Sequence, residues 1–183
     1  MIDRSRRQRS RARKWLVDAV LPLAWRRESP WHGEEHWRCV AATGLELAAA
    51  TDGADRALVF CFGLLHDTRR ENEAIDPRHG SRAADFAAEL RGEDALRLEE
   101  SRFRSLVTAL RLHSDGRVSA NPTIGTCWDA DRLHLPRVGI EPDFALFSTE
   151  AARRMDHASA AEAVRRDGAP EWNELVAIAA ARA

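Results

Sequence analysis

The chain has little of several things. Its 183 residues hold three cysteines, Cys39, Cys61 and Cys127, and no two of them form a CxxC pair. An odd count, two of the three in apolar surroundings, predicts reduced thiols in a cytoplasmic protein. No apolar stretch approaches the roughly 20 residues that a membrane helix needs, and the N-terminus carries no apolar signal region. No Gly-rich phosphate loop of the GxxxxGK or GxGxxG kind is present, and no elbow motif supports a Ser-His-Asp triad. Few segments alternate with period two, so no strands are predicted. Lysine is nearly absent: Lys14 stands alone among 28 basic residues, a bias that reads as genome composition.

What is present is helix-forming. Ala, Leu, Arg and Glu dominate, apolar residues make up 44% and charged residues 31%, and the length suits one domain with a sizeable core. Helices are predicted over about 12–25 (ended or kinked by Pro22), 34–50, 54–65, 81–90, 95–113, 122–133, 148–166 and 171–182. Phe103, Leu106, Val107 and Leu110 mark one apolar face. Asn121-Pro122 reads as a cap with proline in the first turn. Residues 68–80 are polar and irregular. The net charge of −1 hides an asymmetry, since residues 1–14 carry seven basic side chains against Asp3 alone, a local +6. The predicted organisation is a basic arm over 1–14 and an all-α helical bundle over 15–183. An arm of that kind can bind nucleic acid, and a frayed terminus or the start of a surface helix reads equally from it. Trp15, Trp25, Trp31 and Trp37 read as core and loop anchors.

One segment departs from this ordinary pattern. Eight uncharged residues, Leu58 to Leu65, run directly into His66-Asp67. An imidazole and a carboxylate at the inner end of a buried element are costly to desolvate unless something pairs with them. A divalent cation is an economical partner, because both side chains ligate it and it offsets the carboxylate charge. A histidine also opens the preceding helix (His36), and an acidic step, Asp129 and Asp131, lies on a later one. Separate helices converging in a bundle core are a standard way to build a metal site.

These residues resemble the HD-domain superfamily of metal-dependent phosphohydrolases. The stretch His32-Gly33-Glu34-Glu35-His36-Trp37-Arg38-Cys39-Val40 is similar to its first motif. Leu64-Leu65-His66-Asp67 is similar to the second, and Cys127-Trp128-Asp129-Ala130-Asp131-Arg132-Leu133 to the third. The resemblance runs from about residue 30 to 135. Two positions depart from it: Cys39 stands where arginine is common before the valine, and His134 where aspartate often follows Leu133. The resemblance implies metal ligands His36, His66, Asp67 and Asp131, with His36 preferred over His32 because the motif continues after it. Asp129, two residues from Asp131 and so about 200° around the helix, is not expected on the same ion. His79 and His113 lie in the interval where binuclear members carry two further histidines, which offers a place for a second ion. The implied ion is Mn, Fe, Co, Ni or Mg.

The loop from Thr68 to His79 follows the ligands directly. Its Arg69, Arg70 and Arg78, with Arg132 of the third motif, are expected to hold phosphate oxygens, which guanidinium forks suit. Glu71 and Asp76 keep the five-residue separation of a carboxylate pair in nucleotidase branches, and one of them is expected to act as general acid. Asp67 would orient or deprotonate the attacking water. His32-x-x-x-His36 lacks the glutamate of a zinc protease, since Gly33 follows His32. The expected activity is hydrolysis of a nucleotide or another small phosphate ester or pyrophosphate. Two alternatives stay open on the same residues: a binuclear iron oxygenase, and a non-enzymatic metal-binding helical module with a nucleic-acid-binding arm.

Overall fold

A computed structural model of the chain describes residues 4–155 and 168–181. Among them are eight α-helices and no strand: α1 (Arg4–Val20), α2 (Glu34–Ala49), α3 (Arg56–Leu65), α4 (His79–Gly92), α5 (Glu100–Leu112), α6 (Pro122–Arg132), α7 (Glu150–Arg154) and α8 (Trp172–Ala180). The molecule is the all-α bundle expected. α2 and α3 form the central antiparallel pair, α6 packs across both, α4 and α5 form a second pair at one side, and α1 and α8 close the other. No described helix is long and apolar enough to cross a membrane.

The core follows the apolar run. Every residue from Leu58 to Leu65 is buried, so α3 is covered all round by α2, α5, α6 and α8. Trp37, Leu106, Leu110, Leu133 and Phe147 fill the space around it. The three cysteines are free and buried.

Capping chemistry fixes where two site-bearing helices begin. The Asn121 side chain accepts from the Thr123 and Ile124 amides at 3.0 and 3.1 Å, with Pro122 in the first turn of α6. Asp55 accepts from the Ala57 and Leu58 amides at 3.0 and 3.1 Å and also takes both arms of Arg102. Burial works to raise the Asp55 pKa, but Arg102 and the two amides outweigh it and hold the carboxyl below its usual range. Its stabilisation is therefore present above the unfolded carboxylate pKa and is lost as pH falls through the lower folded value. Asp55→Ala is expected to cost about 1–2 kcal/mol, mostly from the cap because the ion pair is partly exposed and screened. Asp55→Asn keeps the cap and should lose a few tenths of that. Urea unfolding at pH 7 of both variants checks this; equal losses would show that the cap contributes nothing.

Three predicted boundaries shift. Residues 4–20 form one helix, so the division expected after residue 14 falls inside α1. Leu16, Val17 and Val20 anchor its C-terminal half in the core, and helix propagates back through good helix formers. α5 starts at Glu100 rather than near 95. Asp94 adopts a positive φ of 59°, and the Ala95 and Leu96 amides both return to the Leu90 carbonyl, making a tight stop after α4. The expected helix over 148–166 is described as α7 only to Arg154; its remainder, with His157, lies outside the described residues. Of the early tryptophans only Trp37 is a core anchor, while Trp15, Trp25 and Trp31 are exposed.

Candidate metal centre

The chain delivers six donor side chains to one place. α2 supplies His36 from its first turn. α3 ends at Leu65, so His66 is its C-terminal cap and Asp67 the first residue of the turn beyond. α4 supplies His79 as its first residue, α5 is capped by His113, and α6 supplies Asp131.

Two close helix contacts set the spacing. At Gly63 a Cβ would meet the Ala41 Cα at 2.6 Å and the Ala41 nitrogen at 2.8 Å, so α2 and α3 touch backbone to backbone. At Gly80 a Cβ would meet the Leu110 carbonyl oxygen at 2.5 Å, so the start of α4 rests on the end of α5. The first contact brings His36 to His66; the second brings His79 to His113.

The backbone then fixes the imidazoles. His66 Nδ1 donates to the Gly63 carbonyl at 3.1 Å, His113 Nδ1 to the Leu110 carbonyl at 2.7 Å, and His79 Nδ1 to the Asp76 carbonyl. A carbonyl only accepts, so each of these nitrogens carries the hydrogen, and the Nε2 lone pair of each neutral ring points inward. His66 Nε2 lies 3.1 Å from His36 Nε2, and His79 Nε2 lies 2.8 Å from His113 Nε2. At His79 and His113, whose Nδ1 atoms both donate to carbonyls, two lone pairs face each other at that separation and repel unless a cation stands between them. Ring nitrogens held to backbone carbonyls with the other nitrogen free are also how metal-ligating histidines are usually oriented.

The carboxylates complete two sets. Asp131 Oδ1 is 3.3 Å from His36 Nε2 and 3.8 Å from His66 Nε2. Asp67 faces both ways. Its Oδ2 lies 3.8 Å from each of His36 and His66, and its Oδ1 lies 3.3 Å from His79 and 3.8 Å from His113. The donor atoms fall into two groups able to hold an ion, His36–His66–Asp67 and Asp67–His79–His113, both wholly buried. Four neutral imidazoles and two carboxylates suit a divalent cation.

The charges agree with this. Burial alone would raise Asp67, but His66, His113 and His32 hold it well below the usual carboxylate range. Asp131 is likewise held well below by its hydrogen bond from His36 and by His66, against the effect of burial. Burial drives His36 well below its ordinary value, with Arg137 adding to it. Burial and the neighbouring His113 lower His79 to about 4. At His113 burial opposes the charge, but the hydrogen bond to Asp67 and the field of Asp131 outweigh it and raise the pKa.

No family model matches the chain, and no curated protein matches it. Among solved structures it is similar to a predicted HD superfamily hydrolase from an uncultured Thermotogales bacterium. The identity is 26% and the TM-score 0.60, over 84% of this chain and 90% of that chain. The match joins a shared helical fold to the His/Asp cluster just described. The chain is similar in fold to an HD-superfamily hydrolase, and its buried His/Asp cluster fits that superfamily.

This His/Asp centre opens onto a cavity of about 510 Å³. Asp67, His79, His113 and Asp131 reach its wall, and so do Arg70 and Arg132. Arg70 Nη1 lies 3.7 Å from Asp67 Oδ1. Arg132 is spent on structure, donating to the Leu146 and Arg117 carbonyls. Other loop residues lie elsewhere. Arg69 stacks 3.6 Å from the Phe86 ring centroid and donates to the Leu23 carbonyl, and Arg78 is exposed on the outside of the loop. Glu71 faces solvent, 3.6 Å from Arg82. Asp76 is buried and accepts from the Glu71 amide at 2.8 Å and from Arg82, which ties the loop together. None of Arg69, Glu71, Asp76 and Arg78 lines the cavity. Asp129 points away from the centre and accepts from the Ser148 and Thr149 amides at 2.8 and 2.7 Å, anchoring the start of α7.

Two further residues reach the centre: His32, placed behind His36 as a ligand in the first motif, and Arg137, which no motif marks. His32 Nδ1 lies 3.1 Å from Asp67 Oδ2, and Arg137 Nη2 lies 3.2 Å from His32 Nδ1 and 4.0 Å from Asp67 Oδ2. His32 sits one helical turn before His36, so its spacing was a usable signal. Arg137 lies beyond the last motif, in a 3₁₀ turn over 135–138 that folds back onto the site, and nothing in its local sequence marks it.

Proposed function

We propose that the protein is a metal-dependent hydrolase of small phosphate esters. The observation that carries this reading is the pairing of a six-donor centre, shared through Asp67, with two guanidinium groups on the wall of one open cavity. His36, His66, Asp67 and Asp131 would hold one ion, and Asp67, His79 and His113 a second. Divalent ions bound there would lower the pKa of a coordinated water and polarise a phosphoryl oxygen.

The chain's own residues supply the rest. Arg70 and Arg137 converge on Asp67 from the cavity side, where they offset the charge of an incoming phosphate. Asp67, held ionised, accepts a hydrogen bond from the attacking water and so orients it. Burial lowers the pKa of His36 and His79, which keeps these two neutral and available as ligands near neutral pH. The same shared set would also accommodate two irons, which keeps an oxygenase as the second reading. Oxygen uptake by anaerobically reduced, iron-loaded protein separates the two.

The test is metal content joined to phosphate release from a panel of esters and nucleotides. Two ions per chain after loading with Mn²⁺ and dialysis, and phosphate release lost in His66→Ala, are expected. No bound ion, together with equal phosphatase activity in the two proteins, would sink the reading.

A further inference from the structure

The cavity beyond the metal centre is chemically one-sided. Its inner end carries the histidines, carboxylates and guanidinium groups described above. Its outer wall is Ala74 and Ile75 from the loop before α4, and Leu135, Val138, Ile140 and Leu146 from the segment after α6. Ile75 is 91% exposed and Ile140 is 53% exposed. A single exposed isoleucine needs no explanation, but two branched apolar side chains from separate loops on one cavity mouth make a patch.

The polar side chains on that wall are engaged. Glu73 accepts from Arg26 through one oxygen and from Ser29 through the other. Asp143 accepts from the Ala145 amide at 2.9 Å, and Arg132 is bound to two backbone carbonyls. Ser114 is the one neutral polar side chain on the wall among the described residues. Those residues offer no Asn, Gln, Phe or Trp to the cavity. A nucleobase is recognised by stacking on a ring or by paired hydrogen bonds to its edge; among the described residues the ring and guanidinium groups of the lining sit at the polar inner end, and the outer wall provides neither. Trp25 and Phe86, which could stack on a base, hold Arg69 instead, outside the cavity.

We infer that the substrate is a phosphate ester of an apolar, non-aromatic alcohol, its phosphate at the metal centre and its hydrocarbon against Ile75, Leu135, Val138, Ile140 and Leu146. This rests on the hydrolytic reading above. A water oxygen forms the new bond to phosphorus as the ester P–O bond breaks, and the alcohol leaves with a proton from that water. The volume lies within the range of ordinary small-ligand pockets. The apolar wall contributes affinity by removing methylenes from water.

Binding is measured with Mn²⁺-loaded protein and linear alkylphosphonates of two to eight carbons, which cannot be hydrolysed, with adenosine monophosphate alongside. Dissociation constants are expected to fall about fourfold for each added methylene that the wall buries. Adenosine monophosphate is expected to bind no more tightly than inorganic phosphate. Ile75→Ser and Ile140→Ser, uncharged changes at exposed positions, should flatten the series while the dissociation constant of inorganic phosphate moves less than that of the eight-carbon phosphonate. A series flat in the wild type, or a nucleotide tighter than the six-carbon phosphonate, overturns the inference. Phosphate release from the matching alkyl phosphates is followed in parallel. Release that is metal-dependent but indifferent to chain length removes the inference and leaves the hydrolase. Length-dependent binding with no release from any ester removes the hydrolase, and this inference with it.

Discussion

Asp67→Ala is expected to weaken both candidate metal sites in one substitution and to lower phosphate release by about 10³-fold or more, the scale on which metal-activated water contributes to catalysis. The carboxylate gives one oxygen to the His36–His66 side and the other to the His79–His113 side. Without it the first set keeps His36, His66 and Asp131, and the second keeps two imidazoles only. Elemental analysis should fall from two ions per chain to one weakly held ion or none. His79→Ala removes a donor from one set alone, so it should keep one tightly bound ion. If Asp67→Ala holds an ion as tightly as His79→Ala does, Asp67 is not shared.

Gly63→Val is expected to have the largest effect on the fold. The added Cβ would lie 2.6 Å from the Ala41 Cα and 2.7 Å from its Cβ, and the obstacle is helix backbone, which cannot rotate aside. α2 and α3 must separate. The cost should be about 3 kcal/mol or more, which for a chain of this size lowers the melting temperature by about 10 °C. The same displacement parts His36 from His66, so metal affinity should fall at that pair first. Calorimetry and metal titration of the variant test this together. An unchanged melting temperature would mean that the two helices do not meet at this point.

Most of the fold was legible because its signals are local. The unbroken apolar run of α3, the Asn121-Pro122 cap and the face Phe103–Leu110 each announce a helix without knowledge of its neighbours. The donor set was legible for a related reason, since three motifs place His36, His66, Asp67 and Asp131 at helix ends. The loop after the metal ligands was not. Arg69, Arg70 and Arg78 are the same residue within ten positions, and only tertiary packing separates them. Arg69 is captured by the faces of Trp25 and Phe86, Arg70 turns to Asp67, and Arg78 faces out. Asp76 looked like an acid and instead ties the loop to Glu71 and Arg82. Arg137 was invisible because its position depends on how residues 133–139 fold back, which no periodicity encodes.

The carbonyl-bound imidazoles bear on which ion the candidate centre would take. His66, His79 and His113 are each oriented by the carbonyl three residues earlier, so their orientation is a product of folding rather than of metal arrival. A cage completed in advance presents the same mixed nitrogen and oxygen donors to whichever divalent ion enters, and such donors rank first-row metals in a fixed order with manganese and iron near the weak end. The resident ion is then decided by supply at the moment of folding. Protein refolded beside excess zinc should hold zinc and yield it slowly to manganese, and the metal found on a purified sample will report the growth medium as much as the site.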